Sequence, residues 1–225
     1  MSKTVDRWHS PHLERSVEVA RWGDVGVPVL VFPTAGGDAQ EDERFHLVDA
    51  CGELIAAGRV KLYSCDSVNG RTLLAKEGDS LHRSWMLRRF AEFVGEEIVP
   101  AIRSDCRSPD IEIITAGSSI GAFNALGALC RYPGVFRQAI CMSGTYRLER
   151  FMDGPVDDHF VWASPLHALG DLDDDHMTAL RTRSVILASG EDRAAADPLA
   201  AAGLSWTYGA PILLTLGHPW VCQMA

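Results

Sequence analysis

The chain has 225 residues, 47% of them hydrophobic, and a formal charge of −9 at pH 7. Net negative charge repels phosphate backbones and anionic bilayers, which excludes nucleic acid and membrane surfaces as expected partners. No stretch approaches the roughly 20 apolar residues of a membrane span, and residues 1–9 carry no apolar leader, so the expectation is one cytoplasmic domain over residues 1–225.

Residues 16–22 alternate apolar and polar, the period of a half-exposed strand, and Gly23 to Gly26 then turn the chain. Val27 to Pro33 is continuously apolar, as a strand covered on both faces should be, and its exit at residues 34–40 is small and glycine-rich. Helical spacing is expected from Phe45 to Ala57, a strand over 60–65, and a polar exit loop over 66–71. Residues 81–102 carry a long apolar stripe and read as one amphipathic helix. Their basic patch, with His82, Arg83, Arg88 and Arg89, reads as that helix's solvated face.

A strand over 111–116 follows, then a helix through Phe123, Leu126 and Leu129, a short strand at 138–142, and a strand at 184–189. Residues 198–202 suggest a short helix and 211–216 a last strand. Between Ser143 and Arg183 the chain is less regular and rich in Asp, Pro and aromatics, which makes it the expected cover over a site. Strand and helix alternate, which predicts an α/β fold: a mostly parallel sheet with an antiparallel start and helices on both faces. Cys51, Cys65, Cys106, Cys130, Cys141 and Cys222 lack C-x-x-C spacing and read as reduced core residues. The acidic run Asp171 to His176 fails the calcium-loop pattern, with His176 at the turn-glycine position and Thr182 at the bidentate-Glu position, so no metal is expected.

Chemistry concentrates where the 111–116 strand meets the next helix. Gly117-Ser118-Ser119-Ile120-Gly121 has the G-x-S-x-G spacing that places a serine hydroxyl above a sheet on a tight strand-to-helix turn. The glycines are needed because the chain folds back on itself two residues to either side of Ser119. A neutral hydroxyl is a weak nucleophile and needs a base, and a histidine titrating near neutrality can take and return the proton. His218, in a Gly-His loop after the last strand, is the candidate base, and the order Ser, acid, His is that of the α/β-hydrolases. The acid should follow the preceding strand, at Asp192, with Glu191 and Asp197 as alternatives. An oxyanion hole would use the backbone N–H of Ile120 and one from Gly36 or Ala35.

These landmarks resemble the putative-esterase branch of the α/β-hydrolases, which includes esterase D-like S-formylglutathione hydrolases. The likeness runs through Val29 to Gly37, Tyr63 to Ser67, Phe93 to Pro100, Gly117 to Gly121, Gly190-Glu191-Asp192 and His218-Pro219-Trp220. The resemblance implies a serine carboxylesterase with Ser119, an acid near Asp192 and His218, acting on a small or medium ester without a cofactor. Three departures stand out. Arg193 occupies the family's usual acid position, Pro219 follows the histidine, and the chain stops at Ala225 where the family continues into a C-terminal helix. A homodimer covering the exposed face is expected in its place. The rival expectations are an inactive hydrolase-fold binding protein and an acyltransferase using the same triad.

Overall fold

The structure is a computed structural model that describes residues 1–168, 172–188 and 212–215. One sheet contains β1 (Lys3–Ser10), β2 (Arg15–Trp22), β3 (Val27–Phe32), β4 (Val60–Cys65), β5 (Ile113–Ser118), β6 (Phe136–Met142), β7 (Ser184–Ala188) and β8 (Ile212–Thr215). Their order across the sheet is β1-β2-β4-β3-β5-β6-β7-β8. The pairs from β4 through β7 are parallel, whereas β2 joins β4 antiparallel, as the sequence predicts. Two features go beyond the prediction. The polar residues 3–10 form a strand paired antiparallel along the whole of β2, and β8 runs antiparallel to β7.

β1 escapes hydrophobic periodicity because it is an edge: most of its residues are exposed, and Arg7 faces Glu18 across the pair as an ion pair. A charged edge discourages further strand addition. In the middle of the sheet, consecutive side chains go to opposite cores. Leu30 and Phe32 of β3 pack with Phe90, Phe93 and Leu129, while Val29 and Val31 pack with Val48 and Ile55. That two-sided burial explains the unbroken apolar run, and a fully buried Leu or Phe contributes roughly 2 to 3 kcal/mol.

Helices cover both faces. On one lie α1 (Glu41–Arg44), α2 (Leu47–Ala50) and α3 (Gly52–Ala56). The single helix expected over 45–57 is thus broken and starts earlier, because His46 is left-handed (φ 62) and Gly52 follows a second break at Cys51. On the other face lie α4 (Val68–Leu74), α5 (Ser80–Phe93), α6 (Val99–Asp105) and α7 (Ile120–Arg131). α4 replaces much of the polar loop expected over 66–71; its polar residue Asn69 is buried and donates to Asn124 Oδ1 of α7 at 2.8 Å.

The helix predicted over 81–102 is present with one wide turn. Residues 94–98 are π-helical, with Val99 N–H donating to Val94 O. Pro100 accounts for it: a proline has no N–H for the carbonyl four residues back and its ring crowds that carbonyl, which a widened turn relieves. The basic patch on α5 is not simply solvated. Arg83 is 4% exposed and donates to the carbonyls of Gly78 and Met152, while Arg88 and Arg89 pair with Glu92.

Within 143–183 the chain forms a 3-10 turn at Glu149–Phe151, then α8 (Asp158–Ala163), α9 (Pro165–Ala168) and α10 (Asp174–Leu180). Trp162 of α8 is stacked by the guanidiniums of Arg88 and Arg131, 4.9 and 4.2 Å from its ring centre, which ties this segment to α5 and α7. The acidic run has a structural use: Asp173 caps α10, its carboxylate accepting from His176 N–H at 2.8 Å. The five described cysteines are free. Cys130 and Cys141 are buried, and burial pushes each thiol up to about 12, which keeps both protonated and unreactive. The expected helix at 198–202 and Cys222 lie outside the described residues.

Candidate active site

The register of three strands assembles the site. Phe32 pairs with Gly117, and Ser118 pairs with Met142. The exits of β3, β5 and β6 therefore open side by side at the carboxyl edge, where parallel α/β sheets place their ligands.

At the β5 exit, Ser119 has φ 57 and ψ −120, a left-handed conformation that costs a non-glycine residue about 1–3 kcal/mol. Its surroundings hold it there. Ser119 N–H donates to Met142 O at 3.1 Å, and its carbonyl accepts from Ala122 N–H and Thr145 N–H. The two flanking glycines leave no alternative, because a Cβ on Gly117 would fall on the Gly121 backbone and one on Gly121 on the Phe32 carbonyl, both well inside 3.0 Å. This is the steric requirement the sequence pattern predicts. Ser119 remains partly exposed, and its Oγ lies 3.3 Å from Thr145 Oγ1. Ile120 opens α7, so its N–H has no acceptor within the helix.

At the β3 exit, Thr34 to Gly37 form a turn closed by Gly37 N–H donating to Thr34 O at 3.0 Å. A β-turn leaves its two central amides, here those of Ala35 and Gly36, outside the closing bond. Gly36 is exposed, and Leu74 at the end of α4, itself 61% exposed, stands beside it. α4 is seated tightly against this turn: a Cβ on Gly70 would come 2.7 Å from Ala35 Cα. Below the turn, Glu41 is buried, with Oε1 accepting from Thr34 N–H at 2.7 Å and Oε2 from Thr34 Oγ1 at 2.9 Å.

Thr145 and Glu41 are contacts that the sequence reading missed. Thr145 follows the β6 strand by three residues at the carboxyl edge, and that position was the available signal. For Glu41 there was none, since its partner Thr34 is reached only by the fold of the turn.

The structure places Ser119 and Ile120 at the β5 exit and Ala35 and Gly36 at the neighbouring β3 exit. Asp192, Glu191, Asp197 and His218 lie outside the described residues. Ala188, the last described residue of β7, pairs with Met142, so β7 ends at the same edge as Ser119, four residues before Asp192. β8 behaves differently. Ile212 pairs with Leu187 and Thr215 with Ser184, so Thr215 ends β8 at the opposite edge, three residues before His218. Among the other histidines, His12 bonds Glu96 and Glu97, His46 bonds Asp49, His167 bonds Ser164, and His176 bonds the Cys130 carbonyl. Among the described residues no group of acidic, histidine and cysteine side chains is arranged to hold a metal ion, and no helix is long and apolar enough to cross a membrane.

A serine held left-handed between two glycines, at the carboxyl edge of a mostly parallel sheet covered by helices on both faces, defines the α/β-hydrolase fold. The family described as "Putative esterase" matches residues 58–205, and the chain belongs to that family. A ferulic acid esterase structure is similar in fold, with a TM-score of 0.65 at 16% identity over 91% of this chain and 87% of that one. So is an IroE-like serine hydrolase from Shewanella oneidensis, with a TM-score of 0.58 at 15% identity over 90% and 70%. An S-formylglutathione hydrolase from Staphylococcus aureus gives 0.54 at 10% identity over 91% and 85%. A comparison with curated protein sequences finds no match.

Proposed function

We propose that this member of the esterase family is a serine carboxylesterase with Ser119 as nucleophile. The observation that carries the reading is the Ser119 turn, strained and partly exposed, at the exit next to the β3 turn, whose central amides have no acceptor among the described residues. In this reading His218 takes the Ser119 proton as Oγ attacks the ester carbonyl. The N–H groups of Ile120 and Gly36 receive the charge that develops on the carbonyl oxygen, and Asp192 holds the histidine tautomer. Collapse expels the alcohol, with His218 returning the proton to it, and water then releases the acid by the same steps. The exposed Leu74 beside Gly36 supports an ester with an apolar group, and residues 143–183 act as cover.

Ser119→Ala should remove p-nitrophenyl acetate cleavage and fluorophosphonate labelling while leaving the circular dichroism spectrum unchanged. Unchanged turnover in that variant overturns the assignment. The β8 direction is the specific observation favouring a second reading, a hydrolase-fold binding protein without turnover, because His218 serves Ser119 only if the chain returns to the carboxyl edge after Thr215. His218→Ala decides between them. Loss of turnover with the fold kept supports the triad, and a folded wild-type sample that takes no fluorophosphonate supports the binding protein. The homodimer is tested by light scattering, where a monomer at micromolar concentration overturns it.

A further inference from the structure

We infer that Glu41 is a positioning residue whose buried carboxylate fixes the Thr34–Gly37 turn so that the Ala35 and Gly36 amides face a substrate carbonyl; this rests on the esterase reading above. Carboxylates are rarely buried unless they are paired. Glu41 is 6% exposed, and its two oxygens hold the two donors of one residue, Thr34: the backbone N–H at 2.7 Å and the hydroxyl at 2.9 Å. Thr34 is the residue on which the turn closes, through its carbonyl and Gly37 N–H. The carboxylate therefore anchors the first corner of the turn, while among the described residues nothing accepts from its central amides.

Gly37 gives independent support. It does not have a positive φ, so conformational freedom is not what requires glycine there. A Cβ at Gly37 would instead land on the Glu41 carboxylate and on Pro33 Cβ. The turn thus packs directly against that carboxylate as well as against Pro33. Glu41 is itself held in register by its N–H donating to Asp38 O at 3.0 Å, and Gly37 O accepts from Ser67 N–H at the start of α4. With both oxygens committed to Thr34, Glu41 acts through the turn and not on the substrate.

An oxyanion donor acts only as negative charge develops, so misplacing it lowers kcat and leaves ground-state binding alone. The test uses the full chain with p-nitrophenyl acetate, together with hydrogen exchange of the amides at 34–37. Glu41→Ala should lower kcat by roughly 30- to 100-fold with KM changed less than about threefold. Exchange of the Thr34 and Gly37 amides should quicken by about tenfold or more. Thr34→Val keeps the shape and removes one donor, so it should lower kcat severalfold, and its effect should be non-additive with Glu41→Gln. It also serves where Glu41→Ala fails to fold. A folded Glu41→Ala protein with unchanged kcat, or with KM raised and kcat intact, overturns the inference. Should wild-type protein show no Ser119-dependent turnover, the esterase reading is what fails. Exchange then decides the Glu41 clamp by itself: faster exchange in Glu41→Ala supports it and unchanged exchange refutes it.

Discussion

The two turns that meet at the site are held by different means. At the β5 exit the glycines are imposed by backbone: Gly117 packs on Gly121, and Gly121 on the Phe32 carbonyl. At the β3 exit Gly37 is met by two side chains, the Glu41 carboxylate, which has rotamers to move through, and Pro33 Cβ, which is held in its ring. Backbone inside the sheet cannot retreat without moving strands, whereas the carboxylate can swing aside and Pro33 can shift with the loop that follows β3. The nucleophile's turn is thus built into the sheet, and the neighbouring turn is built onto it.

The sharpest way to break this contrast is a matched pair of glycine substitutions. Gly121→Ala sets a methyl against the Phe32 and Pro33 carbonyls, and a strained core insertion of this kind costs roughly 3 kcal/mol. In a chain of this size the melting temperature should fall by about 6–12 °C, with activity lost alongside. Gly37→Ala should lower the melting temperature less, by about 3–6 °C, because the carboxylate gives way and only Pro33 must shift, yet reduce kcat by tenfold or more. Calorimetry and steady-state kinetics on both variants check the pair. Equal thermal losses would show that the two turns are anchored alike.

A smaller effect sits directly beside Glu41. Asp42 is buried at 8% exposure, with Oδ2 unpartnered, and its carboxyl is pushed up from 3.8 to about 6. Burial is the main cause; the nearby Ser64 hydroxyl offsets part of the rise, and the Glu41 charge adds to it. The sign follows from the raised value. The folded state holds the proton more tightly than the unfolded one, so this group's contribution to stability is complete below about pH 4 and is lost as pH rises through about 6. Asp42→Asn should therefore stabilise the protein at pH 7.5 by about 1 to 2 kcal/mol and flatten the stability profile between pH 4 and 6. Urea unfolding across that range measures it, and a less stable variant at pH 7.5 would show that the carboxylate has a compensating partner.

What the sequence made legible follows from how local each cause is. The Gly117–Gly121 spacing encodes a clash between residues four apart, and the two-sided burial of β3 appears as an unbroken apolar run, so both could be read directly. α4 could not be, because its polar residue Asn69 is satisfied by Asn124, 55 positions away. The breaks in the 45–57 helix turn on a left-handed histidine that no periodicity announces. The sense of β8 was hidden for a different reason: a strand's apolar pattern is the same whichever way it runs.

The finest test lies between the elbow and the β6 exit. Thr145 holds Ser119 twice, its N–H donating to the Ser119 carbonyl at 3.0 Å and its hydroxyl lying 3.3 Å from Ser119 Oγ. The backbone bond helps fix the turn and survives any side-chain change, while the hydroxyl touches the attacking atom. That contact competes with attack in either polarity: a donating Thr145 occupies an Oγ lone pair, and an accepting one draws the Ser119 proton away from a base. A bond present at rest and broken before attack raises the barrier by its own net strength, on the order of 0.5 to 1 kcal/mol at this length. Thr145→Val keeps the shape and deletes the hydroxyl, so fluorophosphonate labelling should quicken by about two- to fivefold. Thr145→Ser should label at the wild-type rate. Slower labelling of the valine variant would mean that the Thr145 hydroxyl is engaged in the transition state, which would make the β6 exit a working third wall of the site.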